Sequence, residues 1–215
     1  MLGHMRHSLS IIIAVLFATQ TVSAIDATTE EANEDANEAT TEDCMAPNFK
    51  HWIVLFPDHD PDGGEYKLAI RVSNAEKPIY SRLAGGYAAF SAATHPANFK
   101  CLWSSDSNFV AIFERGTKRS GETSIYLVGG DKVQQVTFPD LMPRIRPYVT
   151  AEMRAFWVRP EVWVPDHKLI LSVVFTQLDE KHEAYRFILT LQLRKTTVQH
   201  PVATIASFQQ DKSFK

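Results

Sequence analysis

Cysteine is scarce in this 215-residue chain, which has two, and no apolar run is long. Two cysteines exclude a disulfide-dense scaffold. The apolar stretch from Leu9 to Ala18 is about half of the roughly 20 residues that span a bilayer, which weighs against the alternative of a membrane anchor. Several reaction signatures are missing as well. There is no G-x-S-x-G elbow, no Walker-type phosphate loop, no G-x-G-x-x-G and no histidine pair spaced H-x-x-x-H or H-E-x-x-H. His182-Glu183 lacks its second histidine, so no catalytic residue is assigned. Basic residues are absent from one whole stretch, 25–43, and that absence divides the chain.

Before that stretch, Arg6 stands in a short start without acids, followed by the apolar run and then by Val22-Ser23-Ala24. A basic start, a short apolar centre and small residues at the cleavage positions form the pattern of a secretory signal peptide. Residues 1–24 are therefore expected to be removed, leaving no transmembrane anchor, with the product secreted or periplasmic. Residues 25–43 hold eight acids (Asp26, Glu30, Glu31, Glu34, Asp35, Glu38, Glu42 and Asp43) and no aromatic residue. Such a segment has too little apolar surface to offset the entropy of ordering, and it reads as a disordered acidic linker. The formal charge of -3 then separates into an acidic tail and a basic remainder. Beyond Asp43 there are 21 Lys and Arg against 17 Asp and Glu, so the single domain expected over residues 44–215 is near +4.

In an oxidising compartment an even pair of cysteines more often bridges than stays free, so Cys44 and Cys101 are expected to form a disulfide. It would pin the entrance to the domain where the polar tail ends.

From Pro47 onward the pattern is strand and turn. Short apolar or alternating runs occur at 52–56, 66–72, 87–92, 109–113, 125–128 and 133–138, and Gly129-Gly130-Asp131 suits a tight hairpin. Leu169 to Phe175 is nearly continuous apolar, as in a strand covered on both faces. Tyr185, Phe187, Leu189, Leu191 and Leu193 alternate with mostly polar neighbours, which marks a long strand with one buried face. Residues 202–208 could close the sheet. Within 139–158 the spacing of Leu141, Ile145, Val149, Met153 and Trp157 is helical, but Pro143 and Pro147 interrupt it. A short helix from Thr150 through Ala155, with Thr150 as N-cap, is the expectation. The fold class is thus all-β and mostly antiparallel, either a blade-like β-meander or a β-sandwich, with one short helical insertion.

An internal echo is the most specific feature. Trp103-Ser104-Ser105-Asp106-Ser107-Asn108-Phe109 matches Trp163-Val164-Pro165-Asp166-His167-Lys168-Leu169 sixty residues later, and Ala111 and Phe113 correspond to Leu171 and Val173. A fainter copy lies at 61–70. These residues resemble the W-S-P-D-G signature of β-propeller blades in the TolB-like and WD40-like families, with Ser105 in place of proline and without the turn glycine. The resemblance covers short stretches only, and it implies four-stranded antiparallel units that act as interaction platforms. About 165 residues supply three such units at most, whereas closed propellers have four to eight blades. Asp-bearing turns after a tryptophan also arise in unrelated β-proteins.

Two segments invite chemistry. Asp58, Asp60 and Asp62, with Glu65 as a substitute for the missing distal glutamate, match the start of a calcium loop. The alternative is an acidic hairpin turn without metal, and no other cofactor is expected. Arg144, Arg146, Arg154 and Arg159, interleaved with Tyr148, Phe156 and Trp157, form a candidate surface for an anionic polymer or a protein. The alternative packs the rings on the sheet and leaves the guanidinium groups in water. The expectation is a non-catalytic interaction module for an envelope or extracellular partner, not a nucleic acid. The other reading is a calcium-dependent binding or hydrolytic protein.

Overall fold

The structure is a computed structural model and describes residues 44–57, 66–73, 75, 77–84, 99–178, 184–194 and 200–214. All of these belong to one compact unit, Asp35–Lys215. The acidic turn at 58–65 and the run at 87–92 lie outside the described residues.

The protein is all-β with one short helical insertion. Strands β1 (His51–Pro57), β2 (Tyr66–Val72) and β3 (Tyr80–Leu83) form an antiparallel sheet in that order. The other strands are β4 (Phe99–Trp103), β5 (Phe109–Arg115), β6 (Ser120–Gly129), β7 (Lys132–Gln135), β8 (Met153–Val164), β9 (Lys168–Gln177), β10 (Ala184–Arg194) and β11 (Val202–Gln210). They form a second sheet in the order β11-β10-β9-β8-β6-β5-β4, with β7 added beside β6. β4 to β7 and β8 to β11 are each antiparallel meanders. β6 and β8 join them in parallel through Ser120↔Phe156 and Gly121↔Trp157.

The burial of β5 follows from this layering. Val110 and Ile112 share a core with Ile53 and Leu55 of β1 and Leu68 and Ile70 of β2. Phe109 and Ala111, which point the opposite way, share another with Leu169, Leu171 and Val173 of β9 and Phe187, Leu189 and Leu191 of β10. A strand covered on both faces reads as a continuous apolar run, which is how 109–113 reads. The second core also explains the alternation in β10, where every odd position from Phe187 to Leu193 is buried and every even one is not. The matched positions Phe109 and Leu169, and Ala111 and Leu171, turn the same face into this one core.

Where β6 meets β8 the backbones approach closely. A Cβ built on Gly121 would stand 2.6 Å from the Phe113 ring and 3.1 Å from Trp157. Phe113 is buried and has nowhere to go. Gly121→Ala is therefore expected to destabilise by about 1–3 kcal/mol through overpacking. Gly129→Ala, whose Cβ meets nothing within 4 Å, serves as the control. Urea midpoints for the two variants would separate them, and equal midpoints would contradict the packing described.

Several expectations need correction. The helix is not at Thr150–Ala155: a four-residue helix α1 spans Met142–Ile145 and a 3-10 turn spans Arg146–Tyr148. Pro143 and Pro147 occupy first-turn positions, where a missing N–H costs nothing, so they start short helices. Thr150 is no N-cap. The buried Gln177 side chain takes the N–H groups of Thr150 and Ala151 on Oε1 at 2.8 and 2.7 Å, and its amide donates to the Tyr148 carbonyl at 3.0 Å. These bonds hold the segment extended, and β8 starts at Met153. β6 begins at Ser120, five residues before the apolar run at 125–128, and β7 ends at Gln135, short of the expected end of its run at 138. In β9 only one face is fully buried, the other being half-exposed at Ile170, Val174 and Thr176.

A groove between two tryptophan turns

The two copies of the echo lie side by side. Trp103 ends β4, and its indole N–H donates to the Cys44 carbonyl at 3.0 Å. Trp163, near the end of β8, donates to the Leu102 carbonyl at 2.9 Å. The Trp103 ring stacks with the buried His51, centroids 6.1 Å apart, and the Trp163 ring stacks with Phe109 at 6.0 Å. Lys100 of β4 reaches across to the Pro160 carbonyl at 2.8 Å. β8 has register shifts on either side of Arg154 and between Pro160 and Val162, and proline in a sheet belongs at such a bulge.

The first turn is built largely by its own residues, whereas the second is also held from β10. There the Gln192 side-chain amide donates to the Asp166 carbonyl at 2.6 Å and the Leu193 N–H to the His167 carbonyl at 3.0 Å. In the first, Ser104 Oγ donates to Asp106 at 2.6 Å and accepts the Phe109 N–H at 2.9 Å. The backbone N–H of Asn108 donates to Asp106 at 3.2 Å, and the Asn108 side-chain amide donates to its other oxygen. Ser107 (φ 57) and His167 (φ 55) occupy equivalent positions, both left-handed, where a glycine would be at ease. His167 Nε2 lies 2.9 Å from Asp106 Oδ2 and joins the two turns. Burial alone would raise the Asp106 carboxyl, but the bonds from Ser104, Asn108 and His167 outweigh it and hold the pKa well below the ordinary range.

That depression predicts an acid dependence. The folded carboxyl titrates below its unfolded counterpart, ordinarily at about 3.9. Its contribution to stability is present above that value and is lost as pH falls through the folded one. Asp106→Asn is expected to be less stable than the wild type at neutral pH and to show a flatter decline from about pH 4 downward. Denaturation midpoints across that range decide it, and parallel curves would contradict the assignment.

Together the turns enclose a groove of about 670 Å³ whose lining includes Trp103, Trp163, Val162, Asp106, Glu161 and Asp166. Its lining offers ring faces, an exposed aliphatic side chain and carboxylates. Ser104 is buried, with its proton and a lone pair committed to the turn, so it is not poised as a nucleophile. Val162 is 47% exposed, and the Asp166 side chain is 82% exposed.

The sequence-derived candidates fare differently. Cys44 and Cys101 form a disulfide with Cα atoms 5.5 Å apart. Asp58, Asp60, Asp62 and Glu65 lie outside the described residues. Among the described residues no group of three metal-ligating side chains occurs. Arg144 and Arg146 are exposed on the helical insertion, and Arg154 is exposed in β8. Trp157 packs at Gly121, and the Arg159 guanidinium lies 5.1 Å above the Phe113 ring, so this pair is engaged with the body of the protein.

A buried charge cluster went unread in the sequence. Arg82 of β3 donates to the Tyr126 hydroxyl at 2.7 Å and to both oxygens of Glu114. Burial works against the Arg82 cation, but the Glu114 bonds and charge outweigh it and raise its pKa. Burial and then the Tyr126 hydrogen bond push Tyr80 up to about 12. Nothing in spacing announces this cluster, because its members come from β3, β5 and β6.

Comparison of the chain with protein-family models, curated proteins and solved structures yields no match. Among the described residues, no helix is long and apolar enough to cross a membrane.

Proposed function

We propose that the protein is a non-catalytic secreted or periplasmic interaction module that engages an envelope or extracellular protein through the groove between its two tryptophan turns. The observation that carries this reading is convergence: the most specific pattern in the chain, repeated at sixty residues, supplies both walls of one groove. The Trp103 and Trp163 indole N–H groups and the Ser104 hydroxyl are committed to internal bonds, so the groove offers shape, ring faces and charge rather than a reactive group. The disulfide accords with an oxidising compartment, as does the signal-like start of the chain.

Retention from an extract of the producing cell's envelope tests the reading. The immobilised wild-type protein is expected to hold a reproducible partner, and Val162→Arg, altering an exposed groove residue, is expected to release it. Turnover of a substrate with no partner retained would contradict it.

A further inference from the structure

We infer that the groove takes a cationic peptide segment, one presenting an Arg or Lys side chain flanked by apolar residues. This deepens the interaction-module reading and rests on it. The lining holds three carboxylates, from Asp106, Glu161 and Asp166, and neither Lys nor Arg. The domain around it is basic, with 21 Lys and Arg against 17 Asp and Glu beyond Asp43, so the groove opposes the charge of its own surroundings. Its walls are aromatic and aliphatic. Trp103 and Trp163 have spent their indole N–H groups on the Cys44 and Leu102 carbonyls, so what they offer a ligand is ring surface. Electron-rich ring faces attract cations, arginine above all. Exposed Val162 supplies apolar contact for a flanking residue.

Two of the three carboxylates can change partners. Asp166 stands 3.8 Å from Lys168, and Glu161 stands 4.0 Å from Lys100 and 3.5 Å from Arg186, outside hydrogen-bond length or at its limit. Pairs so exposed contribute little, and an incoming guanidinium replaces them at small cost. Asp106 is different: its bonds to Ser104, Asn108 and His167 fix it as a rigid wall. The incoming cation is therefore read by Glu161 and Asp166, and Asp106 holds the geometry.

Indole N–H resonances of the labelled full chain give the test, because Trp103 and Trp163 line the groove and Trp52 and Trp157 do not. Three probes are used: a short alternating Arg-Leu peptide, a Glu-Leu peptide of equal length and a neutral oligosaccharide. The Arg-Leu peptide is expected to shift the Trp103 and Trp163 signals saturably. Its dissociation constant is expected to rise at least about tenfold in Glu161→Gln/Asp166→Asn and further with salt. If the Glu-Leu peptide or the sugar moves the same two signals and the Arg-Leu peptide does not, the cationic class is overturned while the groove stands as a binding site. Binding of the Arg-Leu peptide that ignores the double substitution overturns the inference as well. If no probe moves either signal, the cationic-peptide inference fails, and the module reading is then judged by partner retention alone.

Discussion

Removing the disulfide as Cys44→Ala/Cys101→Ala is expected to lower unfolding stability by about 4 kcal/mol, the chain-entropy value for a loop of this length. The bridge spans 57 residues, so the unfolded chain loses much freedom when it is closed. Both residues are buried beside β1, β2 and β5, and alanine leaves no polar atom there. At about 2–4 °C per kcal/mol for a domain of this size, the melting temperature is expected to fall by roughly 8–16 °C. A second effect is local. The carbonyl that receives the Trp103 indole belongs to Cys44, and the nearby N–H of Asn48 donates to Ser107 Oγ at 3.0 Å. Exchange of the Trp103 indole proton should therefore quicken more than that of Trp163. An unchanged melting temperature would contradict the structural role given to the bridge.

The substitution Arg82→Met is expected to cost about 3 kcal/mol, because it removes the two-pronged cationic partner of a nearly buried carboxylate. Glu114 is held by Arg82 with only 10% of its side chain exposed, and the Arg82 side chain is 25% exposed. The informative comparison is Arg82→Met/Glu114→Leu. Replacing both members of a buried ion pair by apolar groups is often neutral, so the double variant is expected to recover most of the loss. Denaturant titration of the four proteins in the cycle measures it. A double variant as weak as Arg82→Met alone would show that packing, not charge, is what the pair supplies.

What could be read in the sequence was what depends on neighbours along the chain. Alternation located β10, because one face of it is buried, and Gly130 marked the β6–β7 hairpin, because that turn runs through φ 60. The echo announced the two Trp-Asp turns, since the bonds that shape the first of them join residues two to five apart. What could not be read depends on topology. That the turns adjoin follows from the β6–β8 pairing, which lays β8 across to β4. The bond from His167 to Asp106 and that from Trp163 to Leu102 exist only because of it. The helix was misplaced for a related reason. The helical spacing through Met153 and Trp157 was overridden by Gln177, some 26 residues away, whose side chain takes the backbone N–H groups of Thr150 and Ala151. The Arg82, Glu114 and Tyr126 cluster likewise draws on three separate strands.

The claim that the paired turns form the binding surface is tested most directly by cross-linking in the producing cell. A photo-reactive phenylalanine analogue replaces Val162 in the groove or, as the control, Gln209, which is exposed on β11 away from it. The account predicts a discrete adduct from position 162 and none from 209, with the 162 adduct lost in Glu161→Gln/Asp166→Asn. An adduct at both positions, or at 209 alone, would contradict it.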